Sequence, residues 1–222
     1  MTPGLLRLPS FGLLLSMVVL ILVEPFVEQL PGAVPVLAVL HLGMLGLAVR
    51  MVSSARGQVT ATWVLAVPTI ALNLAFLFVD HPALEVANLA LMAVFYAYVI
   101  SCLLDYVLRD AEVTVDELFA ATCTYVLLAL VFACVYAIEE RLAPGSFSIP
   151  SGSSAEGQTR FWDLAYFSFT ALTSTGFGDI HPLAREARAV VVVEQVTGVM
   201  FVAILIGRLT GMNLARRPKD AK

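Results

Sequence analysis

Apolar residues run along this chain in long blocks separated by short polar breaks. Six blocks can be drawn, at about 9–30, 33–52, 59–79, 83–108, 116–138 and 186–211, each near the ~20 residues a helix needs to cross a hydrocarbon core. Helix is predicted for all of them. A lone strand leaves its backbone unpaired in lipid, and these blocks lack the in-out alternation of a membrane barrel. The breaks carry turn chemistry: Pro31-Gly32, Ser53-Ser54 with Gly57, and Asp80-His81-Pro82. Arg7 ahead of the first block gives the layout of a secretory signal. That block runs into Glu24-Pro25 with no small-residue cleavage site, so a retained anchor is expected.

Composition moves the picture from helices to membrane helices. Of 222 residues, 59% are hydrophobic and 14% charged, with a mean hydropathy of +0.89, too apolar for a soluble domain of this length. A net charge of −4 argues against a nucleic-acid surface. Six spans put both termini on one side. Arg7, Arg50, Arg56, Arg109, Arg216, Arg217, Lys219 and Lys222 then fall on that side, against Arg141, Arg160, Arg185 and Arg188 on the other. The bias predicts a multi-pass protein of the plasma (inner) membrane with cytoplasmic termini. Cys102, Cys123 and Cys134 lie inside apolar blocks and read as packing residues. No nucleophilic triad, phosphate loop or metal cluster is visible, so neither enzymatic activity nor a cofactor is expected.

One segment does not fit the pattern of spans. Residues 139–160 are polar and rich in Pro, Gly and Ser, and Phe161 to Thr173 is amphipathic but too short to cross a bilayer, which predicts a re-entrant helix. Gly176-Phe177-Gly178 follows it. Non-helical backbone at membrane depth is tolerated where protein surrounds it or it lines a watery cavity. A dehydrating cation needs a ring of inward carbonyl oxygens in place of its water, and glycines allow the backbone conformations that turn carbonyls that way. Gly176 and Gly178 supply that freedom, Ser174 a hydroxyl at the inner mouth, and Asp179 a charge at the outer one. Thr175 and Phe177 would turn outward as braces. The chain holds one such loop, so a ring requires several copies.

Ser174-Thr175-Gly176-Phe177-Gly178-Asp179 resembles the filter of tetrameric potassium channels, Thr-Val-Gly-Tyr-Gly-Asp. The resemblance covers roughly 111–215 and extends to bacterial six-span ion channel proteins; residues 1–110 match in hydropathy alone. It implies an all-α membrane homotetramer in which each subunit has six transmembrane helices, a re-entrant pore helix and a filter loop. A four-span region at 1–110, a pore domain at 111–215 and a tail at 216–222 divide the chain. The function implied is passive, selective passage of K+ held at the filter carbonyls. A weakly selective cation channel and a non-conducting accessory protein are the alternatives.

The same resemblance assigns further positions. Thr173 leads into the filter, and Thr170 stands where some members carry a carboxylate. Phe167 and Phe177 replace a hydrogen-bonded Trp–Tyr pair, so ring packing among Phe177, Phe167 and Tyr166 is expected to form the cuff. Gly198 matches the inner-helix glycine, as a bend or as a close-packing position. Val202, Ile206 and Thr210 below it would face the cavity. Glu194, inside the last span, is expected behind the pore helix with Ser168, Thr170 or Thr197 as partner, as a brace or else as an ion site. Span four has Arg109 at its end alone, which argues against strong voltage gating. No soluble regulatory domain is expected, and lipid is the surrounding partner. His41 and the tyrosines Tyr96, Tyr98 and Tyr106 read as packing residues, and Glu24 and Glu28 as water-facing.

Overall fold

The computed structural model describes residues 8–27, 33–56, 59–76, 81–109, 114–149 and 161–215. Seven α-helices are described: α1 (Pro9–Val27), α2 (Ala33–Arg56), α3 (Val59–Phe76), α4 (Pro82–Arg109), α5 (Val115–Leu142), α6 (Phe161–Leu172) and α7 (Arg185–Ala215). A short strand pair, β1 (Phe147–Ser148) and β2 (His181–Pro182), joins them. Each apolar block is helical over its described residues. Four helices are long and apolar enough to cross a membrane, namely α2, α4, α5 and α7, while α1 and α3 contribute shorter apolar stretches, Pro9–Glu24 and Thr62–Ala75.

Helix α5 outruns its apolar block at the far end, where Glu140 and Arg141 find partners. Thr114 caps it in an extended conformation, its hydroxyl accepting from the Glu117 amide at 3.2 Å. Acidic Asp116 and Glu117 occupy the first turn and Arg141 the last, the arrangement the helix dipole favours. Arg141 also pairs with Glu85 of α4 at 2.7 Å. Beyond Leu142 the Glu140 carboxylate accepts from the amides of Gly145 (2.8 Å) and Phe147 (3.0 Å), turning the chain into β1.

The core follows α5, which packs against α4, α1 and α6. Polar side chains within the helices find partners across them, as hydrocarbon requires. Asp116 accepts from the Ser10 amide (3.2 Å) and hydroxyl (3.0 Å) and from Tyr106 (3.0 Å), tying α1 and α4 to the start of α5. His41 meets Tyr96 at 3.1 Å, Thr62 meets Tyr98 at 3.2 Å, and Asn73 donates to Asn88 at 3.0 Å. All three cysteines are buried and free. Glu24 differs from the expectation of a water-facing residue: it is buried and has a partner in the fold. Glu28 lies outside the described residues.

Burial is uneven. Half of the α5 apolar window is buried, against 17% of that of α7. Only a narrow stripe of α7, with Ala187, Val191, Glu194 and Gly198, is covered by the protomer; the remaining face is apolar surface left for lipid or other chains.

Candidate functional site

Helix α6 lies against α5 and α7. It buries Leu164, Ala165, Phe167, Ser168, Ala171 and Leu172, the i, i+3, i+4, i+7 spacing of one face, and leaves Tyr166 on the other. The loop that follows folds back onto its end. The Thr173 amide donates to Phe169 (3.1 Å), Ser174 to Ala171 (3.0 Å), and Thr175 and Gly176 both to the Thr170 carbonyl (2.9 and 3.1 Å). Among the described residues no peptide is cis. In a trans peptide the N–H and C=O point in opposite directions, so the carbonyls of Thr173, Ser174 and Thr175 are directed away from the α6 carbonyls that their amides meet.

The backbone alternates. Ser174, Gly176 and Gly178 have φ of 55°, 56° and 81°, and the residues between them do not have positive φ. Two of the three positions are glycine, which takes this region at no steric cost. The third is serine, and a β-branched residue there would be the harder case. Ser174 to Asp179 are all exposed in the protomer.

Behind the loop the side chains are paired. The Thr173 hydroxyl donates to Phe169 O at 2.7 Å, and Thr175 Oγ1 lies 2.8 Å from Thr173 Oγ1, so the Thr175 proton points to Thr173. Phe177 stacks on Tyr166, with ring centroids 6.4 Å apart and planes 1° from parallel. Tyr166 donates its hydroxyl to Asp179 Oδ2 at 2.9 Å, and this bond holds the Asp179 carboxyl below its usual range.

Within the protomer, the structure brings together two of the three rings expected in the cuff, Phe177 and Tyr166, and places Phe167 elsewhere. Its ring packs with Tyr136 (5.4 Å) and Phe147 (5.5 Å) on the buried side of α6, because consecutive helix residues point about 100° apart. Within the protomer Phe177 therefore pairs with Tyr166. Thr170 serves through its carbonyl; its hydroxyl returns to Phe167 O at 2.8 Å.

Glu194 is fully buried. Its carboxylate is hydrogen-bonded to Ser168 of α6 through Oε1 and to Tyr136 of α5 through Oε2, the latter at 2.5 Å. Ser168 also lies 2.7 Å from the Ala129 carbonyl. Three helices meet at this group. Of the three hydroxyls expected as partners, Ser168 is in place. Thr170 and Thr197 bond within their own helices, Thr197 to Val193 O at 2.8 Å.

Gly198 faces the end of α6. A Cβ there would lie 2.1 Å from the Leu172 carbonyl oxygen and 2.9 Å from its carbon, and α7 runs through the position as one helix. Of the two readings of this glycine, the structure displays close packing rather than a bend. Val202 and Ile206 are 41% and 58% exposed, and Thr210 is exposed with its hydroxyl on Ile206 O at 2.9 Å.

Two residues at the site had no sequence signal beyond being tyrosines inside an apolar block: Tyr136, on Glu194, and Tyr125, whose hydroxyl donates to Leu172 O at 3.1 Å. A polar tip in a membrane helix needs a partner, but the partner's identity depends on the packing of α5.

The clip between β1 and β2 holds the outer end. Phe147 and Ser148 pair with Pro182 and His181, and the Leu183 amide donates to Ser146 O at 2.7 Å. Comparison with known proteins finds that residues 120–214 match a family model described as "Ion channel". No curated protein matches the chain, and no solved structure does. The match supports an ion channel, and with the apolar helices it supports a multi-pass membrane protein.

Proposed function

We propose, from the ion-channel match over residues 120–214, that four copies of this chain surround a potassium-selective pore. The observation that carries the reading is the alternating backbone of Ser174, Gly176 and Gly178, with the amides of 174–176 committed to α6 carbonyls and the carbonyls of 173–175 directed away from them. Carbonyl rings built from four such loops would replace the hydration shell of K+. The C-terminal end of α6, where helix carbonyls concentrate partial negative charge, supports a cation at the inner mouth near Thr173 and Ser174. Asp179 at the outer mouth attracts cations before entry. In this reading all six apolar helices cross the membrane, both termini are cytoplasmic, and Val202, Ile206 and Thr210 line the cavity. A ring of Ile206 closes the path by dewetting.

Voltage has little to act on. Moving one charge through the field yields about 2.3 kcal/mol per 100 mV, and α4 carries a single basic residue, Arg109, in its last turn. A weakly selective pore is the second reading, favoured by the hydroxyl of Thr175 and by Phe177, whose ring carries no hydroxyl to bond a pore-helix partner.

The test is potassium and sodium flux through purified protein in liposomes. Potassium flux well above sodium flux is expected, and Gly176→Ala and Gly178→Ala should each abolish it, since a Cβ opposes positive φ. Equal fluxes favour the second reading, and normal selective flux from both alanine variants overturns the filter assignment.

A further inference from the structure

An apolar groove of about 520 Å³ opens between α4, α5 and the C-terminal half of α7. Leu104 and Val107 of α4, Leu128 of α5, and Met200 and Ile204 of α7 line it, and Arg208 closes one end. Arg208 is its one ionisable lining residue, and Thr197 lies toward the other end. The apolar windows of α4 and α7 finish in arginines, Arg109 and Arg208, and both helices run toward the same face in the six-span arrangement. The cationic end of the groove thus falls where hydrocarbon gives way to headgroups.

Length and width limit the occupant. From Val196 to Arg208 the groove follows α7 for about 18 Å at 1.5 Å per residue, close to the ~15 Å hydrocarbon depth of one leaflet. Its volume lies within the few-hundred-Å³ range of small-molecule sites.

We propose that this groove binds an anionic phospholipid from the leaflet nearest the chain termini. An acyl chain lies along Met200 and Ile204, and the phosphate sits on Arg208. An arginine presents five donors in a planar fork suited to phosphate oxygens, so the second partner that Arg208 has within the fold leaves donors for the headgroup. The lipid would touch α7 mainly below Gly198, where the helix is pinned to α6. Occupancy would therefore prop the lower half of α7 against α4 and α5. The inference depends on the chain lying in a membrane and not on which ion passes.

Native mass spectrometry of the purified assembly tests it, with phosphatidylglycerol or phosphatidylcholine of matched chains added to detergent. Phosphatidylglycerol should be retained at least about tenfold more strongly, the scale of one charge-assisted contact. Arg208→Gln should bring it down to the phosphatidylcholine level, while Arg208→Lys keeps part of the preference. Met200→Trp, which fills the groove, should lower retention of both lipids. Equal retention of the two lipids by the unaltered protein, or a preference that survives Arg208→Gln, overturns the proposal. So does a Met200→Trp protein that falls apart with its lipid retention unchanged, since a neighbouring subunit would then occupy the groove.

Discussion

Replacing Gly198 with alanine puts a methyl group where the last carbonyl of α6 already sits. The added Cβ would lie 2.1 Å from Leu172 O, a separation real Cβ atoms never show below 3.0 Å, so one of the two must retreat by at least about 0.9 Å. The obstacle is backbone and cannot swing aside as a side chain does. Leu172 is also held by Tyr125 at 3.1 Å, and the next two residues are Thr173 and Ser174, so the displacement runs straight into the loop. Overpacking of this kind costs about 1–3 kcal/mol in each subunit. The assay is thermal dissociation of the assembly in detergent together with potassium flux in liposomes, and both should fall. Gly46→Ala is the control: that glycine has nothing within 4 Å of its would-be Cβ, and helix propensity should make the variant equal or more stable by about 0.5–1 kcal/mol. A Gly198→Ala protein with unchanged melting and flux would refute the close approach. Raised melting with altered opening alone would restore the reading of Gly198 as a bend.

Other expectations concern groups around the same loop. Glu194→Gln should leave assembly and selectivity intact. Glu194→Leu strands the buried Tyr136 hydroxyl, at about 1–3 kcal/mol for an unsatisfied group, while Ser168 keeps the Ala129 carbonyl; equal melting of the two variants would argue against the brace. Tyr166→Phe removes the bond that depresses the Asp179 carboxyl. A depressed carboxylate keeps its favourable contact above its ordinary titration range and loses it as pH falls through the lowered value. In the variant Asp179 should thus lose its charge at higher pH, seen as a higher acid midpoint for potassium flux; an unmoved midpoint would count against the contact. A double-mutant cycle of Tyr166→Leu with Phe177→Leu should show coupling of about 0.5–1.5 kcal/mol in assembly melting. The corresponding cycle of Phe167 with Phe177 should be near additive if each subunit packs by itself, and strong coupling there would place the two rings together across subunits.

The apolar blocks gave the helices because length and hydropathy are read directly along the chain, and the departures from them have local causes. Helix α5 continues past its block, where Glu85 pairs with Arg141 and the amides of Gly145 and Phe147 meet Glu140, contacts that are remote in sequence or made beyond the helix. The loop was legible through its glycines, whose positive φ is a property of the residue type. The serine at positive φ between the end of α6 and Thr175 was not. The partners of Glu194 were half legible. Ser168 follows from which face of α6 must be buried, whereas Tyr136 requires the rotation of α5, which a run of apolar residues on all sides leaves undetermined. For the same reason the ring that meets Phe177 within the protomer was not legible: Tyr166 and Phe167 are adjacent in sequence, and only the packing of α6 against α5 decides which ring turns toward the loop.

The exposure of Ser174 to Asp179 in the single protomer bears on how the protein is made. A newly inserted, solitary subunit would hold several peptide carbonyls at membrane depth with no protein around them, and each unsatisfied backbone group in hydrocarbon costs several kcal/mol. Until its partners arrive, such a subunit must keep water beside the loop or remain unfolded there. On the proposed reading, the carbonyls that would face the ion path would penalise the orphan, and their burial would reward oligomerisation. Subunit supply, rather than folding of the individual helices, would then set how much finished protein a membrane accumulates.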